Sequence, residues 1–202
     1  MRRAILGLAT AFMVFGIAAQ ASALQYVLDD SFGSDPVSGD ITVTIADAGA
    51  DTVQVTVDMT ALNTTEFIKE LYLNTNTAVT GSTDGTSSID AVSYALAGYK
   101  ADGDGFHDLL VEFSPDAGDR MTGGAVYTFT LTGLGLDAGD FDDLGTDSPK
   151  GQFHAVAKIN GTGDGSGSDW VGDGGDPIPE PSGMVLFSAG MAVVATSLRR
   201  RG

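Results

Sequence analysis

Apolar and polar residues alternate with a period of two along much of the chain. Five stretches show this pattern clearly, with mainly β-branched and aromatic residues in the apolar positions: 41–45, 53–59, 109–113, 125–131 and 153–159. Three weaker candidates are 24–28, 67–74 and 91–98. The pattern predicts about eight strands, each with one buried and one solvated face.

Turns rich in Gly, Asp and Ser separate these short stretches and indicate an all-β protein. They predict a single antiparallel β-sandwich or jelly-roll-like domain over residues 24–171, made of two packed sheets. Residues 47–51, Asp-Ala-Gly-Ala-Asp, predict a hairpin turn between the strands on either side. A short helical turn is predicted at 137–141, with Asp137 as its N-cap and Asp140 three residues later.

The stretch 161–176 is low in complexity and consists mostly of Gly, Asp, Ser and Thr. Its last part predicts a Gly/Asp-rich spacer over residues 172–178. Trp170 is the large aromatic residue of this stretch, and two interpretations are open. The indole either packs against the sandwich and completes its core, or forms a platform on which a sugar ring stacks.

The first 23 residues have the organisation of a secretory signal peptide. Arg2 and Arg3 precede an apolar stretch, 4–19, and Ala21 and Ala23 have the spacing that signal peptidase requires. Cleavage is expected after Ala23, with export of the remainder through the inner membrane. The alternative is a retained N-terminal helix, but residues 4–19 are apolar all round instead of amphipathic.

The last 24 residues begin with Pro179-Glu180-Pro181, continue with the uncharged stretch 183–198 and close with Arg199, Arg200 and Arg201. An apolar helix followed by arginines predicts a membrane span whose basic end stays in the cytoplasm. Sixteen helical residues cover only about 24 Å, against about 30 Å of hydrocarbon core. The span is therefore short, and an ordinary tail anchor or a buried C-terminal helix are alternatives.

In order and spacing, this tail at 179–202 resembles the PEP-CTERM sorting domain of exported bacterial proteins. The resemblance implies processing near Pro179, Glu180 and Pro181 by an exosortase-like membrane protease, after transient anchoring through a transmembrane helix at 183–198. It also implies a Gram-negative source, a final place on the cell surface or in the extracellular matrix, and association with exopolysaccharide, biofilm or floc.

Charge and composition restrict the function of the segment between the two ends. Residues 24–182 contain all 27 acidic residues and five of the ten basic ones, a formal charge of −22. Such a segment repels nucleic acids and anionic membrane surfaces and attracts cations. The chain has no cysteine, which excludes thiol catalysis, disulfides and cysteine-based metal sites.

An acidic turn before the strand at 109–113 is a candidate metal site. Asp102, Asp104 and Asp108 are separated by glycines and could converge on one Ca²⁺, a cation that prefers several oxygen ligands. The sequence resembles a shortened calcium loop, but Lys100 stands where a full-length loop has another acid. The alternative is a solvated Asp-Gly turn that leads into the strand.

No catalytic residue is predicted. Glycoside hydrolysis needs a defined pair of carboxylates, and none of the many aspartates can be singled out. His107 and His154, the two histidines, lie in no recognisable catalytic motif and are predicted to be on the surface. The sequence therefore indicates a non-enzymatic exported protein; a calcium-assisted carbohydrate-binding module is the first alternative and an extracellular hydrolase the second.

Overall fold

The computed structural model describes residues 22–84, 88–101, 105–146, 150–174 and 178–179. These residues form one eleven-stranded sheet, which confirms the predicted all-β class. The strands are β1 (Ala23–Ser31), β2 (Ile41–Gly49), β3 (Thr52–Asp58), β4 (Phe67–Leu73), β5 (Gly81–Asp84), β6 (Ile89–Ala101), β7 (Gly105–Phe113), β8 (Val126–Thr132), β9 (Ala155–Thr162), β10 (Gly167–Asp173) and β11 (Ile178–Pro179).

The sheet is antiparallel and nearly closes on itself. Its strand order is β5-β8-β3-β2-β1-β10-β9-β4-β7-β6, and β11 adds to β1. The two end strands, β5 and β6, contact each other. Next to these end strands, the rings of Phe113 on β7 and Phe129 on β8 meet edge to face with centroids 6.0 Å apart, and both belong to one buried cluster with residues of β1–β4, β9 and β10. Side chains from opposite parts of the sheet therefore fill a common core.

The alternation predicts the core of the clearest strands correctly. Every second residue of β2 and β3 is fully buried, from Ile41 to Ile45 and from Val53 to Val57. The residues between them are partly exposed or exposed. The predicted hairpin is also confirmed, because β2 ends at Gly49 and pairs antiparallel with β3 from Thr52.

The predicted helical turn is confirmed as a 3₁₀ helix, Ala138–Phe141. Asp137 Oδ1 accepts a hydrogen bond from the Gly139 N–H (2.8 Å), and the Asp137 N–H donates to Asp140 Oδ2 (2.9 Å). This reciprocal pair satisfies N–H groups that a helix start leaves without partners inside the helix.

Three strands were not predicted because their composition is that of turns. β5 and β10 are rich in Gly, Ser and Asp, and β11 has only two residues. In β10 an aspartate, Asp169, takes a fully buried position that would ordinarily be apolar. It accepts hydrogen bonds from the Ser31 hydroxyl and from the Trp170 N–H. The buried side of β10 therefore does not show as an apolar pattern.

A second apolar cluster covers the outer side of the sheet. It contains four buried residues, Tyr72, Ala101, Phe153 and Val156, with the partly buried Phe32, Tyr99, Leu110 and Trp170 packed against them. We call these eight residues the outer cluster. Because of it, β4 and β9 are apolar on both faces over part of their length, instead of having one solvated face.

Within the described ranges, no helix has the length and apolarity needed to cross a membrane. The predicted transmembrane helix at 183–198 and most of the predicted signal peptide lie outside those ranges.

Candidate functional site

The two ends of the described fold pair with each other. β1 begins at Ala23, the residue after which cleavage is predicted, and β11 ends at Pro179, the first residue of the predicted sorting motif. Leu24 pairs with Pro179 and Gln25 with Ile178, on the side of β1 that also carries β10. The predicted processing points thus lie on neighbouring strands.

The other residues of the two predicted signals lie outside the described part of the chain: Ala21, Glu180, Pro181, Arg199, Arg200 and Arg201. The predicted spacer, 172–178, begins inside β10, where Gly172 and Asp173 are buried. Its last residue, Ile178, pairs with β1 in β11. The spacer is therefore held by the sheet at both of its ends.

Of the three predicted calcium ligands, only Asp108 is described, because Asp102 and Asp104 lie outside the described residues. The Asp108 carboxylate accepts the Ala97 N–H at 2.6 Å on Oδ1 and the Thr75 N–H at 3.4 Å on Oδ2. Asp108 thus connects β7 to two neighbouring segments. Among the described residues, no group of three or more histidines and acids is arranged to hold a metal ion.

Trp170 belongs to a transverse row of polar and aromatic side chains on the outer face. In register across the sheet, Trp170 on β10 is opposite Lys158 on β9, which is opposite Glu70 on β4. The Lys158 ammonium lies 5.1 Å from the indole centroid and 3.9 Å from Glu70 Oε1. The Tyr72 ring packs against the indole (5.6 Å) and its hydroxyl donates to Glu70 Oε2 (2.8 Å). Trp170 is thus partly buried in the outer cluster.

An open groove of about 490 Å³ adjoins this row at the β9–β10 hairpin. Its lining contains two basic residues, an aromatic ring, an amide and a wall of glycine and serine: Phe67, Arg120, Lys158, Asn160, Gly161, Gly165, Ser166, Gly167 and Ser168. We call it the hairpin groove. The sequence did not single out Arg120, Lys158 or Asn160, because only the strand register brings them together. The sequence offered one signal: residues 24–182 have just five basic residues, so each of them was worth considering as a binding residue.

The prediction that His154 is a surface residue is wrong. His154 is 5% exposed, and its Nδ1 lies 2.7 Å from Asp173 Oδ2. Since a carboxylate can only accept, Nδ1 carries the hydrogen. Asp173 Oδ1 accepts the Ala155 N–H (2.8 Å), and the Tyr26 ring stacks on the imidazole with centroids 5.2 Å apart. The strand begins only at Ala155, so the alternation does not extend back to His154.

The same prediction for His107 is also wrong, since His107 is fully buried on β7. Its Nδ1 lies 3.0 Å from Asn74 Nδ2, an amide group that also donates to the Phe153 carbonyl at 3.1 Å. The signal was available: His107 continues the buried series of Leu109, Val111 and Phe113 by one step. Both histidines are enclosed by protein, so a substrate would reach them only if the core repacked.

Tyr26 is the described group whose ionisation the fold shifts most clearly. Burial, together with the negative charges of Asp142 and Asp173, raises the pKa of its phenol well above the ordinary value. The hydroxyl donates to the Phe141 carbonyl at the 3₁₀ helix. Burial of a neutral, hydrogen-bonded phenol indicates a structural role.

Comparison with protein-family models, with curated proteins and with solved structures returned no match for this chain.

Proposed function

We propose that this chain is a non-enzymatic exported surface or matrix protein, sorted through its C-terminal tail by an exosortase-like membrane protease and associated with exopolysaccharide. Signal peptidase removes residues 1–23, and the tail at 179–202 anchors the protein in the inner membrane until it is processed. The acidic domain then acts on the cell surface or in the extracellular matrix of a Gram-negative bacterium.

The observation that carries this proposal is that the two predicted processing points lie on paired neighbouring strands of the described fold. The first strand begins at Ala23 and the last ends at Pro179, and the two pair along one side of β1. Removal of the flanking segments after these residues would leave every described strand except the first residue of β1 intact. A protein with removable targeting segments at both ends needs a folded domain that stays intact when they are cleaved off.

We further propose that the nearly closed sheet is a flattened, jelly-roll-like β-sandwich. One buried cluster that takes side chains from β1–β4 and from β7–β10 supports two facing layers with one core between them. Such a domain has a large sheet surface on which an extended polymer can lie. It needs no disulfide, in agreement with the absence of cysteine.

A calcium-assisted carbohydrate-binding module is the second candidate. The exposed part of Trp170 and the adjoining hairpin groove favour sugar binding, since aromatic rings and fixed polar groups are what sugar sites contain. The calcium part rests on Asp102, Asp104 and Asp108. A rise in melting temperature in millimolar Ca²⁺ that Asp104→Asn abolishes would support it. An unchanged melting temperature would contradict a calcium site of useful affinity.

Sorting is tested by Glu180→Gln, with Glu112→Gln as the matched control because it makes the same chemical change on a strand of the domain. We expect the Glu180 variant, and a deletion of residues 199–201, to accumulate unprocessed in the inner membrane. The control should be processed like the parent. The readout is the mass and the C-terminal residue of the mature protein. Normal mass for Glu180→Gln at the cell surface would overturn the proposal.

A further inference from the structure

The hairpin groove concentrates positive charge in a protein that has very little. Residues 24–182 carry five basic and 27 acidic residues, and two of the five, Arg120 and Lys158, line this one groove. Lys158 forms only a long, partly exposed ion pair with Glu70 (3.9 Å, 31% of the lysine side chain exposed), and Arg120 has no ion pair among the described residues. The groove therefore brings together two of the few cations of a strongly acidic segment.

Both cations are held on aromatic rings. The Arg120 guanidinium lies 4.3 Å from the centroid of Phe67, and its Nε donates to the Pro115 carbonyl. The Lys158 ammonium lies 5.1 Å from the centroid of Trp170. Nε is one of five N–H donors of a guanidinium, so the terminal NH₂ groups remain for a ligand. A guanidinium stacked in this way keeps a planar edge that matches a carboxylate in two parallel hydrogen bonds.

The floor of the groove offers an acceptor that the described residues leave unused. The Asn160 Oδ1 atom is buried and accepts no hydrogen bond from them. Asn160 lies between Phe67 and Ser168 in the sheet register. A buried acceptor without a donor is unfavourable, and a ligand hydroxyl would supply the missing donor once the Asn160 amide turns toward the groove that it lines.

Glycine keeps one wall of the groove low. Gly161 has a φ of +79°, and a Cβ there would lie 2.1 Å from the Thr65 carbonyl oxygen; Gly165 has a φ of +94°. Besides glycine, the hairpin presents the exposed Ser166 and Ser168 to the groove, and the Asp164 carboxylate at its tip accepts hydrogen bonds from the Ser166 N–H and hydroxyl. A flat, hydroxylated ring can approach such a wall closely.

We propose that the hairpin groove binds a carboxylated sugar unit of an acidic polysaccharide. The carboxylate pairs with Arg120 and Lys158, and a ring hydroxyl donates to Asn160 Oδ1. This inference rests on the proposed function, for which it names the class of polymer. An acidic loop of a second copy offers the same carboxylate, and the oligomeric state measured in the test separates that occupant from a sugar.

The test is calorimetric titration of the full-length chain in neutral detergent with tetragalacturonate. The matched probe is its fully methyl-esterified form, which has the same rings without the charge. Protein and sugars are freed of divalent ions on a chelating resin beforehand, so that calcium cannot bridge an acidic sugar to an acidic protein and no soluble carboxylate competes for the groove. We expect the free acid to bind and the ester to bind about tenfold more weakly or not at all, with weaker binding at higher salt.

Two variants change the groove while leaving its supports in place. Lys158→Gln removes one charge, and Asn160→Asp puts a carboxylate opposite that of the ligand; each should weaken binding of the acid by about tenfold. Arg120 is kept, because it also holds the Pro115 loop. Lys100→Gln, which removes an exposed charge on β6, is the control and should bind like the parent. Melting temperature and the near-ultraviolet dichroism of Trp170 verify folding.

Three results would overturn the inference. The first is that the free acid and the methyl ester bind equally well, and the second is that Lys100→Gln weakens binding of the acid as much as Lys158→Gln does. The third is that the parent binds no sugar but forms a dimer that Lys158→Gln dissociates. The sorting proposal is scored separately by the mass of the mature protein. Normal sorting without acid binding removes only the groove assignment. Acid binding together with normal sorting of Glu180→Gln removes only the sorting proposal.

Discussion

The two ends of the β9–β10 pair contain similar residue types in opposite surroundings. At one end, which we call the closed end, Asp173, His154 and the Ala155 N–H form a buried polar group stacked under Tyr26. At the other, the hairpin groove, Lys158 and Arg120 lie partly exposed on aromatic rings, and Asn160 Oδ1 has no described partner. Aromatic and charged residues thus meet at both ends of one strand pair.

The two ends differ in whether the polar groups find their hydrogen-bond partners within the protein. At the closed end the carboxylate uses both of its oxygens on protein donors, and water is excluded. Such groups stabilise the fold, and removing one partner leaves the others buried without a substitute. In the groove the partners are incomplete, which contributes little to stability and leaves capacity for a ligand.

The closed end should be the more sensitive to substitution. Asp173→Ala would leave two buried donors, His154 Nδ1–H and the Ala155 N–H, without an acceptor. At about 1–3 kcal/mol for each, we expect the free energy of unfolding to fall by about 2–6 kcal/mol. Urea denaturation measures the change.

The control for Asp173→Ala is Asp30→Ala, which removes an exposed aspartate from the neighbouring strand β1. It should change stability by less than about 0.5 kcal/mol. A similar fall in the free energy of unfolding for the two variants would contradict the expectation that the buried, paired Asp173 stabilises the fold more than an exposed aspartate does.

Because of Tyr26, the free energy of unfolding should depend on pH in the alkaline range. Burial raises the pKa of the phenol above its ordinary value of 10.0 in the folded protein, so the unfolded chain ionises first. The stabilisation is complete below pH 10 and is lost as pH rises further, by about 1.4 kcal/mol per unit. Tyr26→Phe should be about 1 kcal/mol less stable at pH 7, because it loses the hydrogen bond to Phe141, and should show a smaller decline above pH 10.

Urea denaturation at a series of pH values from 7 to 11 measures this difference. Parallel curves for the parent and Tyr26→Phe above pH 10 would contradict the assignment of the decline to this phenol.

The groove should respond least in stability. Lys158→Gln removes an ion pair that is long, 3.9 Å, and has 31% of the lysine side chain exposed. Solvent screens such pairs, so the free energy of unfolding should change by less than about 1 kcal/mol. The same denaturation experiment measures it. A loss above about 2 kcal/mol would place Lys158 with the structural groups and remove the contrast between the two ends.

The sequence was sufficient for the strands with one apolar face and failed where both faces or neither is apolar. β2 and β3 follow the predicted alternation over 41–45 and 53–57. β10 was missed because Asp169 replaces an apolar residue on its buried side. Val156 was expected on a solvated face, but the outer cluster buries it. The residue pattern of one strand cannot show that side chains of other strands cover its outer face, as they do in the outer cluster.

The candidate site could not be found from the sequence for a related reason. Its residues come from separate segments: Phe67 on β4, Arg120 from a loop, and Lys158 and Asn160 on β9. Only the register of β4, β9 and β10 brings them together. The net charge also pointed away from anions, because an average over 159 residues hides two cations in one groove. Both histidines were likewise misplaced, since burial depends on where each strand begins and on what covers it.

The pairing of β1 with β11 has a mechanical consequence. Because the two strands are antiparallel, Ala23 and Pro179 lie at the same end of the sheet. Tension that draws these two residues apart would unzip the Leu24–Pro179 and Gln25–Ile178 pairs in sequence, each opening at low force. Tension that pulls both residues in the same direction would instead leave these pairs together. The load would then pass to β2 and β10, the other strands that pair with β1.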